Sequence, residues 1–407
     1  MSAKNDKASS TREQADTYMF ETYKRFPLVL VRGEGCRVWD DTGKEYLDFV
    51  AGIAVCSLGH SSPIVTQVLE EQSRKLVHVS NLYYTEPQVE LARLLVENSF
   101  AGRVFFCNSG AEANEAAIKL ARRYAGQQGL SGLHKIICME NSFHGRTMAT
   151  LSATGQAKVQ QGYDPLLKGF QFVPFNDAAA LEKALDDSVC AVLMEPIQGE
   201  GGVVCPEPGY LEKVRALCDE CRAVLIFDEV QVGMGRTGKL FAHQHYGVEP
   251  DVMTLAKALG NGLPIGAMLA REEMSGAFGP GSHATTFGGT PLVTAVSAAV
   301  LKSLIETDRL DHCRRMGDHF KEGLEALAGK HAAIRTVRGA GLILGVELDR
   351  PGAPMVEEFL ERGFLVNCAQ ENVLRFVPPL IVEPEDIDRL LEAFDQILRE
   401  MDRADKE

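Results

Sequence analysis

Two charged residues directly follow apolar segments that have the composition of buried strands. The segment AVLIF leads into Asp228, and DVMTLA leads into Lys257. A carboxylate at the end of a buried strand is costly unless it meets a cation or a protonated group. A lysine in such a position often has a lowered pKa, which suits Schiff-base formation with an aldehyde. The pair therefore predicts a ligand that carries both a protonated nitrogen and an aldehyde.

Two further loops follow predicted strands and carry groups that could bind the same ligand. The strand VFFC leads into residues 108–111, where a helical pattern starts at once. The free N–H groups and the positive dipole end of a helix start form an anion site. The strand KIICME leads into the loop NSFHGRT, which contains Phe143, His144 and Arg146. These loops add an anion site, an aromatic ring, an imidazole and a guanidinium.

Each of these features alone has an ordinary structural explanation. Ser109 and Glu112 can form a plain capping box, Lys257 can be a surface residue, and Phe143 can pack in the core. One ligand, however, would use all of the features together. It would place a phosphate at the helix start, an aromatic ring against Phe143, a protonated ring nitrogen at Asp228 and an aldehyde at Lys257. Pyridoxal 5′-phosphate has these features, and a protein that keeps its pyridine nitrogen protonated makes the ring an electron acceptor.

A glycine-rich segment offers a competing interpretation as a nucleotide site. Residues 233–238, GMGRTG, fit the dinucleotide pattern, and residues 233–240 come within one position of a phosphate loop. Leu240 stands where the phosphate loop requires a hydroxyl group, and Asp228 and Glu229 would repel a bound pyrophosphate. No periodic helix follows. We therefore interpret these glycines as a tight turn in the active site.

The elements that must position these residues alternate between strands and helices. KIICME, FQFVPF, AVLMEP, AVLIFDE and DVMTLA are short apolar runs separated by helical patterns, which is typical of a parallel sheet covered on both faces. Ligands of such sheets bind beyond the carboxyl ends of the strands. Short strands near both chain ends predict a second, smaller α+β unit. The predicted division is a flexible arm (1–16), the first part of a small domain (17–60), a large α/β domain (61–300) and the second part of the small domain (301–407).

The overall charge excludes some classes of partner. The 407 residues include 42 Lys and Arg against 56 Asp and Glu, which gives a formal net charge of −14. An acidic protein repels nucleic acids and anionic membranes. No apolar run reaches the ~18–20 residues needed to span a bilayer, and the polar N-terminus lacks the apolar core of a secretion signal. We expect a cytoplasmic protein with small-molecule substrates, no nucleic-acid partner and no membrane partner.

The cysteines and histidines do not predict a metal site. Most of the ten cysteines lie in apolar segments, as free thiols do in a reducing compartment. Cys218 and Cys221 form one CxxC, but no second pair lies at a matching distance. His243 and His245 form an HxH without a convincing third ligand nearby. We expect no bound metal.

Taken together, these residues resemble the class III (ornithine-type) aminotransferases, which are pyridoxal-phosphate-dependent enzymes of fold type I. The resemblance extends from about Tyr18 onwards. It is carried by the segments NSGAEANEAAIKLAR, SFHGRT, EPIQGEGGV, IFDEVQVGMGRTG, DVMTLAKALGNGLPIGA and TTFGGTP. It implies a large domain with a mostly parallel central sheet, a smaller α+β domain from both chain ends, and a homodimer whose active site is shared across the interface.

The resemblance also implies roles for residues around the cofactor. Lys257 would bind the cofactor covalently and move the proton between substrate and cofactor. Asp228 would pair with the ring nitrogen, Gln231 would contact the 3′-oxygen, and Phe143 would stack on the ring. The other implied cofactor contacts are Gly110, Ala111, Glu229, Val230 and, from the partner subunit, Thr286.

Further residues are implied to bind substrate. Arg146 would bind the substrate carboxylate with help from Thr285, where the family often has serine. Glu200 would hold Arg375 while the ω-amino donor is bound, and would release it to bind the α-carboxylate of glutamate or 2-oxoglutarate. The alternative for this pair is a permanent salt bridge. A second departure from the family is Thr290 in GGTP, where GGNP is usual.

Within the class, the segments FVAGIAVCSLGH, SNLYYTEPQ and FHGRTMATLSATGQ are similar to the branch that acts on N-acetylated ornithine. Ile53 stands where ornithine δ-aminotransferases are expected to carry a tyrosine that contacts a free α-amino group. The implied reaction is transfer of the ω-amino group of N2-acetyl-L-ornithine to 2-oxoglutarate by a ping-pong mechanism in arginine biosynthesis. The alternatives are aminotransferases of ornithine, 4-aminobutyrate, succinylornithine or succinyl-diaminopimelate and, more remotely, an aminomutase or a non-catalytic cofactor-binding protein.

Overall fold

A computed structural model describes residues 11–129, 132 and 134–404 of the chain. The strands are β1 (Leu30–Glu34), β2 (Arg37–Asp40), β3 (Glu45–Asp48), β4 (Arg103–Cys107), β5 (Lys135–Met139), β6 (Phe170–Val173), β7 (Val189–Met194), β8 (Val224–Asp228), β9 (Val252–Leu255), β10 (Gly266–Ala270), β11 (Ile334–Ala340), β12 (Ile343–Leu348), β13 (Phe364–Leu365), β14 (Asn367–Ala369) and β15 (Val373–Phe376).

The helices are α1 (11–18), α2 (Ala51–Ala54), α3 (Pro63–Ser73), α4 (Glu86–Glu97), α5 (Gly110–Gln127), α6 (Met148–Ala153), α7 (Ala157–Gln160), α8 (Ala178–Ala184), α9 (Tyr210–Cys221), α10 (Pro291–Ile305), α11 (Arg309–Ala328), α12 (Ala353–Glu361) and α13 (Pro384–Ala404). Short 3₁₀ turns cover Ala242–His245, Lys257–Leu259 and Glu272–Ala277.

The N-terminal segment differs in part from the prediction. Residues 1–10 of the predicted arm lie outside the described residues, whereas residues 11–18 form α1, whose side chains are mostly exposed. The segment VTQVLEEQSRKLVHV (65–79) has a helical pattern throughout, but α3 ends at Ser73. The polar composition that suggests an arm is therefore also compatible with a short surface helix.

The largest sheet has seven strands in the order β4-β10-β9-β8-β7-β5-β6. Strands β9, β8, β7, β5 and β6 pair in parallel, and β10 is antiparallel to both of its neighbours. Alternate residues of β5, β7 and β8 pack into two separate apolar clusters, one with α5 and the other with α9. The predicted α/β fold with a mostly parallel sheet covered on both faces is confirmed, although the sequence did not predict β10.

Two smaller sheets combine the ends of the chain. Strands β1, β2 and β3 form an antiparallel meander, and β13 from the C-terminal part pairs in parallel with β3. Strands β11, β12, β15 and β14 form an antiparallel sheet. The segment FLVNCA (364–369) has the composition of a single strand, but it is divided between β13 and β14, which lie in different sheets. The smaller unit is therefore built from both chain ends, as the fold prediction requires.

The topology brings the candidate residues to one edge of the central sheet. Because β10 is antiparallel to both β4 and β9, strand β4 runs in the same direction as the parallel strands. The segments that follow β4, β5, β7, β8 and β9 therefore start at the same edge. In the part of the chain that the structure describes, no helix is long and apolar enough to span a membrane.

Candidate active site

Asp228 ends β8 as a buried carboxylate with three hydrogen bonds. Its Oδ2 accepts a hydrogen bond from Asn114 Nδ2 at 2.7 Å and lies 2.8 Å from Nδ1 of His144. Its Oδ1 accepts a bond from the backbone N–H of Val230 at 3.0 Å. Asn114 is oriented in turn by Thr254, whose hydroxyl donates to its Oδ1 at 2.7 Å. This network holds a negative charge at the end of the strand.

Lys257 follows β9 and points into the same cavity as Asp228. Its φ angle of 42° is unusual for a residue with a side chain, and such angles are common at active sites. Burial lowers the pKa of Lys257 to about 8, with Glu200 opposing this shift and Arg375 adding to it. A substantial fraction of Lys257 is therefore a neutral amine at mildly alkaline pH, as a nucleophile or proton carrier requires.

The start of α5 forms another wall of the cavity. Ser109 accepts a hydrogen bond from the backbone N–H of Glu112 at 3.2 Å, which is one half of the capping box. The Glu112 carboxylate instead accepts from the backbone N–H of Asn108 at 2.9 Å and from the Ser109 hydroxyl at 3.1 Å. The N–H groups of Gly110 and Ala111, at the start of the helix, precede its first internal bonds. A Cβ at position 110 would lie 2.7 Å from Val230. Only glycine allows this close packing of the helix start against the segment after β8.

The loop after β5 places an aromatic ring and a guanidinium at the cavity. Phe143, His144 and Arg146 all line it, and the Arg146 guanidinium lies 5.5 Å from the centre of the Phe143 ring. The Arg146 side chain is exposed, and within the described residues it takes part in no ion pair. It is thus a cation that can accept a carboxylate.

Glu200, Gln231 and Arg375 form a compact polar cluster. Arg375 Nη1 donates to Glu200 Oε1 at 2.6 Å and to Gln231 Oε1 at 3.0 Å, and Gln231 Nε2 donates to the same Glu200 oxygen at 3.2 Å. Arg375 is only 1% exposed. Burial acts to raise the pKa of Glu200, but the charges of Arg375 and Lys257 and the hydrogen bonds from Arg375 and Gln231 together outweigh it, so the pKa lies below the usual value. The positive charge of Arg375 is neutralised in this arrangement.

Glu195 is a second buried carboxyl group of the cavity. It accepts hydrogen bonds from the backbone N–H groups of Phe143 at 3.2 Å and Gly199 at 3.1 Å. Burial raises the pKa of Glu195 to about 7, with Asp228 adding to this shift and His144 opposing it. Through its two hydrogen bonds, the Glu195 side chain links the loop after β5 to the turn after β7.

Four residues predicted at the site do not line this cavity in the single chain. Arg375 is buried beside two lining residues, Glu200 and Gln231, and the other three have different surroundings. Both carboxylate oxygens of Glu229 point elsewhere and accept bonds from the backbone N–H groups of Ala242 at 2.5 Å and His243 at 2.8 Å. Glu229 thus caps the turn after residue 241, because successive residues at a strand end point to opposite sides. Thr285 accepts a bond from Asn108 at 3.1 Å, and both Thr285 and the exposed Thr286 line a separate depression.

The remaining predicted residues surround one cavity of about 510 Å³. Its walls combine a helix start for an anion, a buried carboxylate for a protonated nitrogen, an aromatic ring and an amine of lowered pKa. Because residue 110 is glycine, no side chain lies between the helix start and Val230. His144 Nε2 is buried without a hydrogen-bond partner among the described residues. The donor set therefore fits pyridoxal 5′-phosphate. The predicted residues on its lining are Gly110, Ala111, Phe143, Arg146, Glu200, Asp228, Val230, Gln231 and Lys257.

The sequence analysis missed Asn114 and Glu195. Glu195 had the same signal as Asp228, a carboxylate directly after an apolar strand. Asn114 is a polar residue on the apolar face of α5, where Ala113, Ala116 and Ala117 are buried. A polar side chain among such neighbours needs a partner, so the pattern indicated a buried hydrogen bond.

Comparison with known proteins identifies the family. The profile described as "Aminotransferase class-III" matches residues 18–398. The chain belongs to the class III aminotransferases. This membership confirms the predicted family, the type I fold and the assignment as an aminotransferase.

Relatives with curated names share about half of their residues with this aminotransferase. "Acetylornithine aminotransferase" of Caldanaerobacter subterraneus subsp. tengcongensis is 53% identical over 385 residues, covering 94% of this chain and 98% of that protein. The protein of the same name from Methanocaldococcus jannaschii is 51% identical over 385 residues, covering 94% of this chain and 96% of its own.

Solved structures of similar aminotransferases superpose over nearly the whole chain. The ornithine aminotransferase from Toxoplasma gondii ME49 has a TM-score of 0.94 at 34% identity, covering 98% of this chain and 96% of its own. Another structure of the Toxoplasma gondii enzyme is described with partial occupancy of PLP at the active site. N-acetylornithine aminotransferase from Stenotrophomonas maltophilia K279a has a TM-score of 0.83 at 39% identity, covering 96% of this chain and 99% of its own.

Proposed function

We propose that the protein transfers the ω-amino group of N2-acetyl-L-ornithine to 2-oxoglutarate, giving N-acetyl-L-glutamate 5-semialdehyde and L-glutamate, as a step of arginine biosynthesis. The observation that carries this proposal is the charge arrangement of the cavity. Arg146 is free to bind a carboxylate, whereas Arg375 is neutralised by Glu200 at 2.6 Å. A donor with a single carboxylate remote from its reacting amine fits this arrangement. The names of the relatives at 51–53% identity agree with it.

Pyridoxal 5′-phosphate is the proposed cofactor. When bound, it supplies an aldehyde that accepts the amino group and a protonated ring that withdraws electrons from the reacting carbon. The residues that would hold it are Gly110, Ala111, Phe143, Asp228, Val230, Gln231 and Lys257, together with Thr286 of a partner subunit.

The chain's own residues have separate tasks in this proposal. The N–H groups at the start of α5 bind the phosphate, because they are unpaired and lie at the positive end of the helix. Asp228, whose carboxylate is oriented by three hydrogen bonds, pairs with the ring nitrogen. Lys257, with its pKa of about 8, can take a proton from the substrate carbon and return it.

The Glu200–Arg375 pair lets one cavity accept two kinds of substrate. The first substrate has no charged group next to its reacting carbon, and the ion pair keeps Arg375 neutral for it. The second substrate, 2-oxoglutarate, has a carboxylate at that position, which competes with Glu200 for Arg375. Glu200 is 30% exposed in its side chain, whereas Arg375 is almost fully buried, so Glu200 is the partner with room to move.

A half-reaction comparison tests this function against its nearest rivals. The purified protein is loaded with pyridoxal 5′-phosphate, and the absorbance of the bound cofactor is followed as one donor is added. We expect the fastest change with N-acetylornithine, and slower changes with ornithine, 4-aminobutyrate and succinylornithine. Ornithine is the serious rival, because structures of ornithine aminotransferases superpose with a TM-score of 0.94. A faster change with ornithine would assign the protein to that activity.

We also propose a homodimer. Leu82, Tyr84 and Phe287 are large apolar side chains that are 63–98% exposed, and Leu82 and Tyr84 share a surface depression with Thr286. Exposed apolar side chains in such number are typical of a protein–protein interface. An interface here would bring Thr286 to the partner's cofactor phosphate, where this chain alone does not place it.

A further inference from the structure

The segment between β3 and α3 contains a turn of unusual handedness. Residues 51–54, the short element α2, all have positive φ angles, between 49° and 66°. Only one of the four is glycine, and Ile53 is β-branched, a type of residue that avoids this region. Backbone strain of this kind persists only where the surrounding structure imposes it, and it is concentrated at ligand sites and functional loops.

Asp48 and His60 hold the N-terminal side of this turn. Asp48 Oδ1 accepts hydrogen bonds from the backbone N–H groups of Val50 and Ala51, both at 2.8 Å. Asp48 Oδ2 lies 2.7 Å from Nε2 of His60. The hydrogen bond to Asp48, with a further contribution from Cys56, raises the pKa of His60 to about 10, and Asp48 and His60 form an ion pair. A Cβ at Gly33 would lie 2.7 Å from His60 Cβ, so the packing of β1 also fixes the imidazole.

The other side of the turn is attached to the loop that carries Lys257. The backbone N–H of Leu58 donates to Asn261 Oδ1 at 2.7 Å, and Asn261 lies four positions after Lys257. Between these two anchors, Val55 faces the active-site cavity. The strained segment is thus fixed at both ends and forms part of the cavity wall.

The buried face of the turn also touches the elements that carry the switch pair. Ala54 is 1% exposed and belongs to an apolar cluster with Val203 and Val377. Val203 lies three residues after Glu200, and Val377 lies two residues after Arg375. A change in the turn would therefore alter both the apolar wall at Val55 and the support of the ion pair.

We propose that Asp48 and His60 are positioning residues for the amino donor, because they hold residues 51–54 in the left-handed form against the cavity. In this proposal the backbone of the turn, in addition to the side chain of Ile53, favours a donor whose α-amino group is acylated. The inference rests on the proposed function. Its physical basis is the apolar wall at Val55, which accepts an uncharged amide more readily than a hydrated ammonium group. If the turn relaxes, water enters and the distinction weakens.

The first test removes the charge that holds the turn. Asp48→Asn keeps the shape of the side chain but loses the ion pair with His60. Asp40→Asn is the matched control, because Asp40 also accepts two backbone N–H groups and binds the ring hydroxyl of Tyr46, at a turn outside the cavity. The readout is the ratio of kcat/KM for N-acetylornithine to that for ornithine. We expect Asp48→Asn to lower this ratio by about fivefold or more, the effect of a lost charge-assisted bond, and Asp40→Asn to leave it unchanged.

The second test separates backbone from side chain and does not require Asp48 to be changed. Ile53→Ala removes the side chain but keeps the strained backbone, whereas Ile53→Gly removes both. We expect Ile53→Gly to lower the donor ratio about threefold more than Ile53→Ala does. The melting temperature of Ile53→Gly should nevertheless equal or exceed that of Ile53→Ala, because glycine adopts a positive φ angle without strain. Arg222→Gly, at a positive φ of 56° in the C-cap of α9, controls for strain relief alone and should leave the ratio unchanged.

The outcomes distinguish this inference from the function on which it rests. If the wild-type protein does not act on N-acetylornithine, the proposed function fails. If the wild-type protein does act on N-acetylornithine, two results would overturn the inference and show that the turn is only structural. One is the same donor ratio for Asp48→Asn and Asp40→Asn, and the other is the same donor ratio for Ile53→Ala and Ile53→Gly.

Discussion

At the scale of single residues, neighbouring carboxylates in this protein have opposite tasks. Asp228 faces the cavity and is bound by Asn114 and His144, whereas Glu229 points away and caps the turn at Ala242 and His243. Both follow the same buried strand, so their chemical type does not distinguish them. What distinguishes them is the alternation of side chains at the strand end, which directs Asp228 into the cavity and Glu229 towards the turn at Ala242 and His243.

The proposed covalent role of Lys257 predicts a severe and specific loss of activity. Lys257→Ala removes the amine of lowered pKa at the cavity, so turnover of N-acetylornithine should fall by several orders of magnitude. Lys239→Ala, at an exposed lysine nearby in the chain, should be unaffected. Steady-state assays and borohydride reduction followed by peptide mapping measure both. Near wild-type turnover in Lys257→Ala, or labelling of another amine, would contradict the assignment.

The lowered pKa of Lys257 also predicts how stability depends on pH. In the cofactor-free protein the pKa is about 8, against 10.5 for an ordinary lysine. Between these values the unfolded chain binds a proton that the folded protein does not, so the free energy of unfolding gains a contribution that rises with pH. Urea unfolding at pH 7.5 and 10 should show a larger rise for the wild type than for Lys257→Met. Equal rises would show that burial does not perturb this amine.

The pairing of Glu200 with Arg375 predicts a change in substrate preference. Glu200→Ala removes the carboxylate 2.6 Å from Arg375, so Arg375 becomes permanently available to an α-carboxylate. Glutamate should then compete better against N-acetylornithine, which half-reaction rates for each donor measure. Glu207→Ala, at an exposed residue after the same strand, serves as the control. An unchanged preference would favour the alternative of a static salt bridge.

At the scale of elements, the site depends on contacts between α5 and the strands beneath it. Asn114 lies on the buried face of α5 and joins three elements: it donates to Asp228 and to the backbone oxygen of His144, and accepts from Thr254. A helix that packs on the sheet only through alanines would leave Asp228 with fewer donors. The same helix thus presents the proposed phosphate-binding N–H groups at its first turn and orients a carboxylate from its second.

This arrangement predicts two linked effects of Asn114→Ala. The substitution leaves the Thr254 hydroxyl and one bond of Asp228 unmatched, which should lower the free energy of unfolding by about 1–3 kcal/mol. It should also speed cofactor loss during dialysis, because Asp228 is less well held. Asn98→Ala removes one bond, of 2.8 Å to Leu94, at the end of α4 and away from the cavity. Cofactor retention equal to the wild type in Asn114→Ala would contradict the role proposed for this amide.

The sequence predicted elements and strand-end residues well, but it predicted relations between distant segments poorly. Apolar runs such as Val189–Met194 identify buried strands, so the parallel sheet and the position of the candidate residues at its edge followed from composition. Strand β10 was missed because Gly266–Ala270, GAMLA, contains no β-branched or aromatic residue, the types that are enriched in strands. The left-handed turn at residues 51–54 had no local signal, since its conformation is imposed by Asp48, His60 and Asn261 rather than by its own residues.

At the scale of the whole molecule, one chain supplies an incomplete version of the proposed site. The predicted phosphate contact Thr286 is exposed and lies beside Leu82 and Tyr84, both more than 80% exposed, rather than in the cavity with Lys257. Apolar surface of this kind is costly in water. Burial of the patch against a second copy would remove this cost and would bring a hydroxyl to the partner's cavity. Assembly and activity are then coupled.

This coupling predicts that two defective variants restore each other's activity. Thr286→Glu places a negative charge where the partner's cofactor phosphate would bind, and Lys257→Ala removes the amine. In a mixed dimer one site carries both defects, whereas the other combines an intact Lys257 with an intact Thr286. Co-expressed variants, purified through two different affinity tags, should therefore recover about half of the wild-type activity per dimer, since one of the two sites is complete. Mixed dimers without activity would show that Thr286 acts on its own chain.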